Sequence, residues 1–290
     1  MRCSGSNAEL RHSAFSEKLA GDAIAERFRS RSSSPPQVDP LSPDVLVDLR
    51  VGRERCSAGI DLAGRSLHQR GRGRRVRAPL REDIAAGLAL LAGIGPETPL
   101  LDPFCGSGTL IAEAAAIALR RVPDRDPARM PLSRLPPFSG LPFAGLREEL
   151  FAREVSRSAQ MLAFDADPRA VSEARELLAS RGLASRIEVR RAEVAALDLP
   201  ELAEAGTLIT NPPWGRRLAR DVESAWRSLG TLVRRPPFSG WTLAVLSGHP
   251  ELTRHLGLAS TRRWPVRVAG TDARLCIYAI RPPRTNGDAD

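Results

Sequence analysis

Leu100-Leu-Asp-Pro-Phe-Cys-Gly-Ser-Gly-Thr109 is a short apolar run that ends in an acid and then turns through two glycines. Leu100–Asp102 reads as a strand, and a helix begins near Ser107 or Thr109 and continues over Leu110–Ala118. Glycine is needed where a backbone must turn sharply and let a ligand approach without a Cβ in the way. In open α/β sheets ligands bind outside the carboxyl ends of the strands, which is where this turn falls. The turn lacks the third glycine of the dinucleotide fingerprint and the Gly-Lys-Ser/Thr of a P-loop, which argues against nicotinamide and nucleoside-triphosphate chemistry. Asp102 at the strand end would repel a pyrophosphate but suits a cationic, amino-bearing ligand.

Outward from this turn, strand and helix signals alternate, the pattern of a parallel sheet with crossover helices. Glu82–Ala92 reads as an amphipathic helix. Met161–Asp165, Arg186–Arg190, Thr207–Thr210, Trp241–Ser247 and Leu275–Ile280 read as strands, with helices over Ala170–Ser180 and Val222–Leu232. The proline-rich segment Val122–Leu146 has no clear period and reads as an insertion. Upstream, Ala14–Phe28 reads as a helix with Phe15, Leu19, Ile24 and Phe28 on its apolar face. A Ser-Pro-rich linker, Ser30–Pro43, leads to a hairpin of Val45–Val51 and Cys56–Leu62 around Gly52-Arg53. Arg70–Arg77 is a glycine-arginine segment between two modules, read as a solvated linker that helps hold a polyanion only modestly. The expected domains are 1–72, a small α/β module and linker, and 73–283, the larger α/β domain, with 284–290 a disordered tail.

Later strand ends carry further chemistry. Asp165 closes its strand, where a carboxylate can accept both hydroxyls of a ribose. Asp167 precedes Pro168, a helix cap followed by a first-turn proline. A third acid, Glu193 or Asp198, follows the next strand, and Glu193 is the nearer candidate for an adenine amine. Thr207-Leu-Ile-Thr-Asn-Pro-Pro-Trp-Gly215 is a strand followed by a rigid turn. Pro212 fixes its own φ and holds Asn211 extended, which pins the Asn211 side chain and the Pro212 carbonyl as acceptors for the two hydrogens of a planar amine. Accepting those hydrogens exposes the nitrogen lone pair for in-line attack on a methyl group, helped mainly by positioning. Trp214 offers a ring on which a base can stack, worth roughly 1–3 kcal/mol, once that base is turned out of its helix.

The net charge of +9 favours a polyanionic partner, although Lys18 is the only lysine and the arginine skew also fits a GC-rich coding background. No run of about 18 uncharged apolar residues is present, and Met1–Asn7 lacks the core of a signal peptide, so no membrane partner and a cytoplasmic location are expected. Cys3, Cys56, Cys105 and Cys276 form no Cys-x-x-Cys pair, and His12, His68, His249 and His255 show no ligand spacing, so no metal is expected.

Asp102-Pro-Phe-Cys-Gly-Ser-Gly-Thr109 with Glu113-Ala-Ala115 and Asn211-Pro-Pro-Trp-Gly-Arg-Arg-Leu218 resembles the THUMP-domain RNA guanine-N2 methyltransferases, most closely the bacterial enzymes acting on 23S ribosomal RNA. Ser57–Gly71 is similar to the segment leaving the THUMP domain, and residues 8–51 resemble its second half, so the module at 1–72 is expected to be a partial THUMP-like one. The resemblance implies a class I, Rossmann-like, seven-stranded methyltransferase domain with a final antiparallel strand near Leu275–Ile280. It implies S-adenosylmethionine as cofactor, held by Asp102, Pro103, Phe104, Cys105, Gly106, Ser107, Gly108, Thr109, Asp165, Glu193 and Asn211. Asn211, Pro212, Pro213 and Trp214 would carry catalysis on RNA, ribosomal or transfer, in a monomer. Three features depart from the family: Trp214 stands for tyrosine, Arg216 for glutamate, and Arg72-Gly-Arg74 lacks a tyrosine. No counterpart is present for the first half of the THUMP domain or for the fused second methyltransferase of some members. Two rivals share the motif logic: methylation of DNA adenine or of glutamine, and a non-catalytic RNA-binding factor that keeps the fold.

Overall fold

The polar N-terminal stretch forms a small sheet and one long helix. β1 (Arg2–Gly5), which the sequence pattern does not announce, pairs in parallel with β2 (Leu46–Val51), and β2 pairs antiparallel with β3 (Cys56–Asp61). The turn at Gly52 closes on a bond from its N–H to the Arg55 carbonyl (2.8 Å), as the hairpin reading expects. Helix α1 (Ser13–Ser30) covers the expected helix, but its expected apolar face is not buried. Phe15, Leu19 and Phe28 are 56%, 50% and 42% exposed. Three short strands offer too little surface to cover an 18-residue helix, and Val51 is the only fully buried apolar residue of β1–β3.

The computed structural model describes residues 1–31, 33–41, 43–63, 80–122, 135–138, 140–155, 159–214 and 219–281, without the side chains of 219–221. Arg70–Arg77, Arg216 and the tail 284–290 lie outside the described residues. The chain divides into two units, Met1–Ser66 with Asp124–Glu148, and Leu67–Pro123 with Glu149–Asp290. The proline-rich insertion is not wholly irregular: it ends in α4 (Phe143–Ala152), preceded by a turn of 3-10 helix at Pro136–Phe138. The four prolines between 131 and 142 break up the helical period that reading by pattern depends on.

The larger unit holds a seven-stranded α/β sheet. With α2 (Glu82–Leu91), α3 (Thr109–Ala118), α5 (Pro168–Ser180) and α6 (Ala219–Val233), its strands are β4 (Leu100–Asp102), β5 (Met161–Asp165), β6 (Glu188–Arg191), β7 (Thr207–Thr210), β8 (Thr242–Ser247), β9 (Arg262–Val268) and β10 (Thr271–Ala279). The order across the sheet is β6-β5-β4-β7-β8-β10-β9, parallel up to β8. β10 lies antiparallel to both β8 and β9. The resemblance foresees β10; β9, with three arginines and a proline, gives no strand signal.

Alternation along each strand feeds two cores. Leu100, Met161, Ala163, Ile209, Ala244 and Leu246 face the layer of α2, α3 and α5. Leu101, Leu162, Phe164, Leu208, Leu243 and Val245 face α6, with its Trp226 and Leu229. Burying each large apolar side chain contributes roughly 1.5–3 kcal/mol. A sheet covered on both faces needs such unbroken apolar runs. Chain order reverses direction between β4 and β7, so the crevice outside their carboxyl ends is where a ligand belongs.

One ionic cluster locks the helical layer. Arg181, at the end of α5, donates to Glu113 of α3 (2.6 Å) and to Glu82 of α2, and Glu113 is 2% exposed. Removing the guanidinium takes a close charge partner from two largely buried carboxylates. Arg181→Met is expected to lower stability by about 3–5 kcal/mol. Chemical denaturation checks this; a loss within experimental error of zero would show that the cluster is dispensable.

Candidate active site

Asp102 ends β4 and is 1% exposed. Its Oδ1 accepts the Thr210 hydroxyl (2.7 Å) and the Phe104 N–H (3.1 Å). Its Oδ2 is buried with no hydrogen-bond partner among the described residues. Burial pushes the carboxyl up to about 7; the bonds from Thr210 and Phe104 oppose the shift, and the Asp165 charge adds to it. An orphaned acceptor of this kind fits a cationic donor.

The turn after β4 is built as its glycines require. Gly106 and Gly108 have φ of 52° and 81°, in the left-handed region. A Cβ at Gly108 would lie 3.0 Å from that of Ala174, so α5 packs directly on the turn. A Cβ at Gly106 would meet nothing within 4 Å, so open space faces that backbone. Of the two helix starts left open by the sequence, the structure selects Thr109, with Gly108 as cap. The first-turn N–H groups of α3 are thereby presented toward the turn. Pro103 and Cys105 are buried, and Phe104 packs on the α6-side core. Burial first, then Asp102 and Asp165, pushes the Cys105 thiol well above its ordinary range, so this thiol is inert.

Asp165 ends β5 and fixes the turn from the side. Its Oδ2 accepts the Gly106 N–H (2.9 Å) and its Oδ1 the Asp167 N–H (2.9 Å). A carboxylate has about four lone-pair sites, so acceptor capacity remains. Asp167 caps α5, accepting the Arg169 N–H (2.8 Å) with Pro168 in the first turn, as the sequence implies. Past β6, Ala192 donates to the Asp165 carbonyl (3.0 Å), which brings the exposed Glu193 to the same sheet edge. Asp198, also exposed, follows the short 3-10 turn Val194–Ala196.

Asn211 follows β7 directly, next to Thr210 and hence next to the Asp102 contact. Its Oδ1 accepts the Trp214 indole N–H (2.5 Å). Pro212 is buried. The Pro213 carbonyl accepts the indole N–H of the fully buried Trp226 on α6 (2.9 Å). The half-buried Trp214 ring lies against Gly248, just past β8. Three residues that sequence reasoning misses therefore shape the site: Thr210, Trp226 and Gly248. Thr210 and Gly248 were findable as the polar and small residues at strand ends. Trp226 reads only as one apolar position of a helix.

Residues 70–275 match the family described as UPF0020: RMKL-like, methyltransferase domain. The chain is 35% identical over 303 residues to the ribosomal RNA large subunit methyltransferase K/L of Syntrophotalea carbinolica, covering 97% of this chain and 41% of that protein. The enzyme of the same name from Marinobacter nauticus is 33% identical over 299 residues, covering 99% of this chain and 41% of its own length. The chain thus spans about two fifths of these curated relatives. Among solved structures, SMU.472 complexed with SAH superposes with a TM-score of 0.80 at 21% identity, covering 98% of this chain and 75% of the other. TrmN from Thermus thermophilus does so with 0.67 at 24% identity, covering 96% and 71%. These likenesses show the fold, that of class I methyltransferases.

Asp102 gives the site a pH signature. Its pKa rises on folding from 3.8 to about 7, so its stabilising protonated form is fully present below about 4 and lost as pH rises through 7. Denaturant titrations between pH 5 and 8 are expected to show falling stability with rising pH in the ligand-free protein, with a shallower slope in Asp102→Asn. Identical slopes would contradict the assignment.

Proposed function

Because the chain belongs to the RMKL-like methyltransferase family, we propose that it methylates the exocyclic N2 amine of guanine in RNA, with 23S ribosomal RNA the substrate and S-adenosylmethionine the methyl donor. The observation that carries this reading is the placement of Asn211-Pro-Pro-Trp214 at the end of β7, tied through Thr210 to Asp102 at the end of β4. An amine-binding turn and a glycine turn then flank one crevice at the switch point of the sheet. The names of the Syntrophotalea and Marinobacter relatives support ribosomal RNA as substrate. In this reading residues 73–283 are the catalytic domain and 1–72 an RNA-binding module, and the protein works in the cytoplasm; no described helix is long and apolar enough to cross a membrane.

S-adenosylmethionine supplies, when bound, a methyl group activated on a sulfonium. The residues present fit it. The orphaned Asp102 Oδ2 suits the ammonium of its methionine part, and the N-terminus of α3 suits the carboxylate. The open backbone at Gly106 admits it closely, with Pro103–Thr109 as the surrounding wall. Asp165 would accept the ribose hydroxyls, and Glu193, at the same sheet edge, would accept the adenine amine. Asn211 Oδ1 has a second lone pair and accepts one hydrogen of the target amine, and the Pro212 carbonyl accepts the other. These bonds aim the nitrogen lone pair, and the surplus proton leaves to solvent after transfer. Trp214 provides the ring beside which the extruded guanine is held.

The roles separate experimentally. Asn211→Ala is expected to reduce methyl transfer at least 100-fold while leaving S-adenosylmethionine affinity, read by calorimetry, within about threefold. Asp165→Ala is expected to weaken that affinity at least tenfold, since it loses both ribose contacts and the Gly106 anchor. Full turnover in Asn211→Ala would remove the amine site from the account.

A further inference from the structure

The Trp214 indole N–H is aimed at the one side chain on which the proposed chemistry turns, and stacking alone requires no such bond. We infer that Trp214 is a positioning residue that sets the Asn211 carboxamide, and that Gly248 is glycine because it forms the seat of the Trp214 ring. The inference rests on the reading above, in which Asn211 accepts a hydrogen of the target amine.

An indole N–H can only donate, so the atom 2.5 Å away on Asn211 is the carbonyl oxygen Oδ1 and not the amide nitrogen. This matters because the terminal torsion of asparagine is broad and roughly two-fold. Left alone, the group would also present its NH2 toward the substrate, and two donors would then face each other. With Oδ1 held toward the indole, one of its lone pairs is used and the second stays available at a fixed angle.

The ring itself is held at its other end. A Cβ built on Gly248 would fall 2.0 Å from Trp214 Cε3 and 2.3 Å from Cζ3, so the benzo ring occupies the space of any larger residue. Gly248 does not have a left-handed φ, so alanine there would meet the ring without backbone strain. β7 and β8 pair in parallel, Thr210 opposite Val245, and the indole bridges the two strand ends from Gly248 to Asn211. Trp226 secures the turn between them through the Pro213 carbonyl. Phenylalanine would keep an aromatic face but has no N–H to donate, and the tyrosine hydroxyl sits at the far end of its ring.

The test is steady-state methyl transfer to unmodified RNA by the full chain and by W214F, W214A, G248A and G248A/W214A. W214F is expected to lose about tenfold in kcat with KM for RNA changed less than about twofold, because stacking survives and only the orientation of Asn211 is lost. G248A is expected to lose a similar factor, but to cost nothing further in the W214A background, since the two act as one unit. In the amide spectrum, the Trp214 indole resonance, identified by its absence in W214F, should shift in Asn211→Ala whether or not RNA is present. Wild-type kcat in W214F, a loss confined to KM, an equal cost of G248A with and without Trp214, or an unmoved indole resonance would each overturn the inference. Failure of the underlying reading looks different: Asn211→Ala itself would then turn over normally.

Discussion

The hydrogen bond from the Thr210 hydroxyl to Asp102 joins the carboxyl ends of β4 and β7, the two strands between which the chain changes direction. Both partners are buried, Asp102 at 1% and Thr210 at 0% exposure. A buried carboxylate is costly unless it is satisfied, and among the described residues this one is satisfied on Oδ1 only. The sheet therefore carries, at its switch point, an acid whose second oxygen is prepared for a partner from outside. Everything else in the site is arranged around that pair. Asp165 holds the glycine turn from β5, and Asn211 starts where Thr210 ends.

This arrangement separates two tasks on one sheet edge. The β4–β6 side offers acceptors and an open backbone, suited to a donor carrying an ammonium, a ribose and an amine. The β7–β8 side offers the Asn211 carboxamide bonded by the Trp214 indole, on a turn whose Pro213 carbonyl is bonded by Trp226. The second side is the more rigid. Two prolines, two indole N–H bonds and a glycine seat leave the turn little freedom.

Much of this was legible because it rests on short-range constraints. A strand closing on Asp102, a turn needing Gly106 and Gly108, and an extended residue before Pro212 are each dictated within a few positions. The Asp167 cap followed in the same way. What escaped depends on distant partners. β1 exists only because β2 is there to pair with it, and β9 only because β10 presents an edge. The Thr210, Trp226 and Gly248 contacts span 108, 13 and 34 positions, beyond any local pattern. The face of α1 misled for the opposite reason: its period is helical, but burial depends on how much surface its neighbours offer, and three short strands offer little.

The central claim is that the crevice at the ends of β4 and β7 places a guanine N2 amine against Asn211. The most direct measurement is to incubate the protein with labelled S-adenosylmethionine and unmodified 23S ribosomal RNA, digest the RNA and separate the nucleosides. The account predicts that the label runs with N2-methylguanosine. Label on another nucleoside, or no label on the RNA, would contradict it.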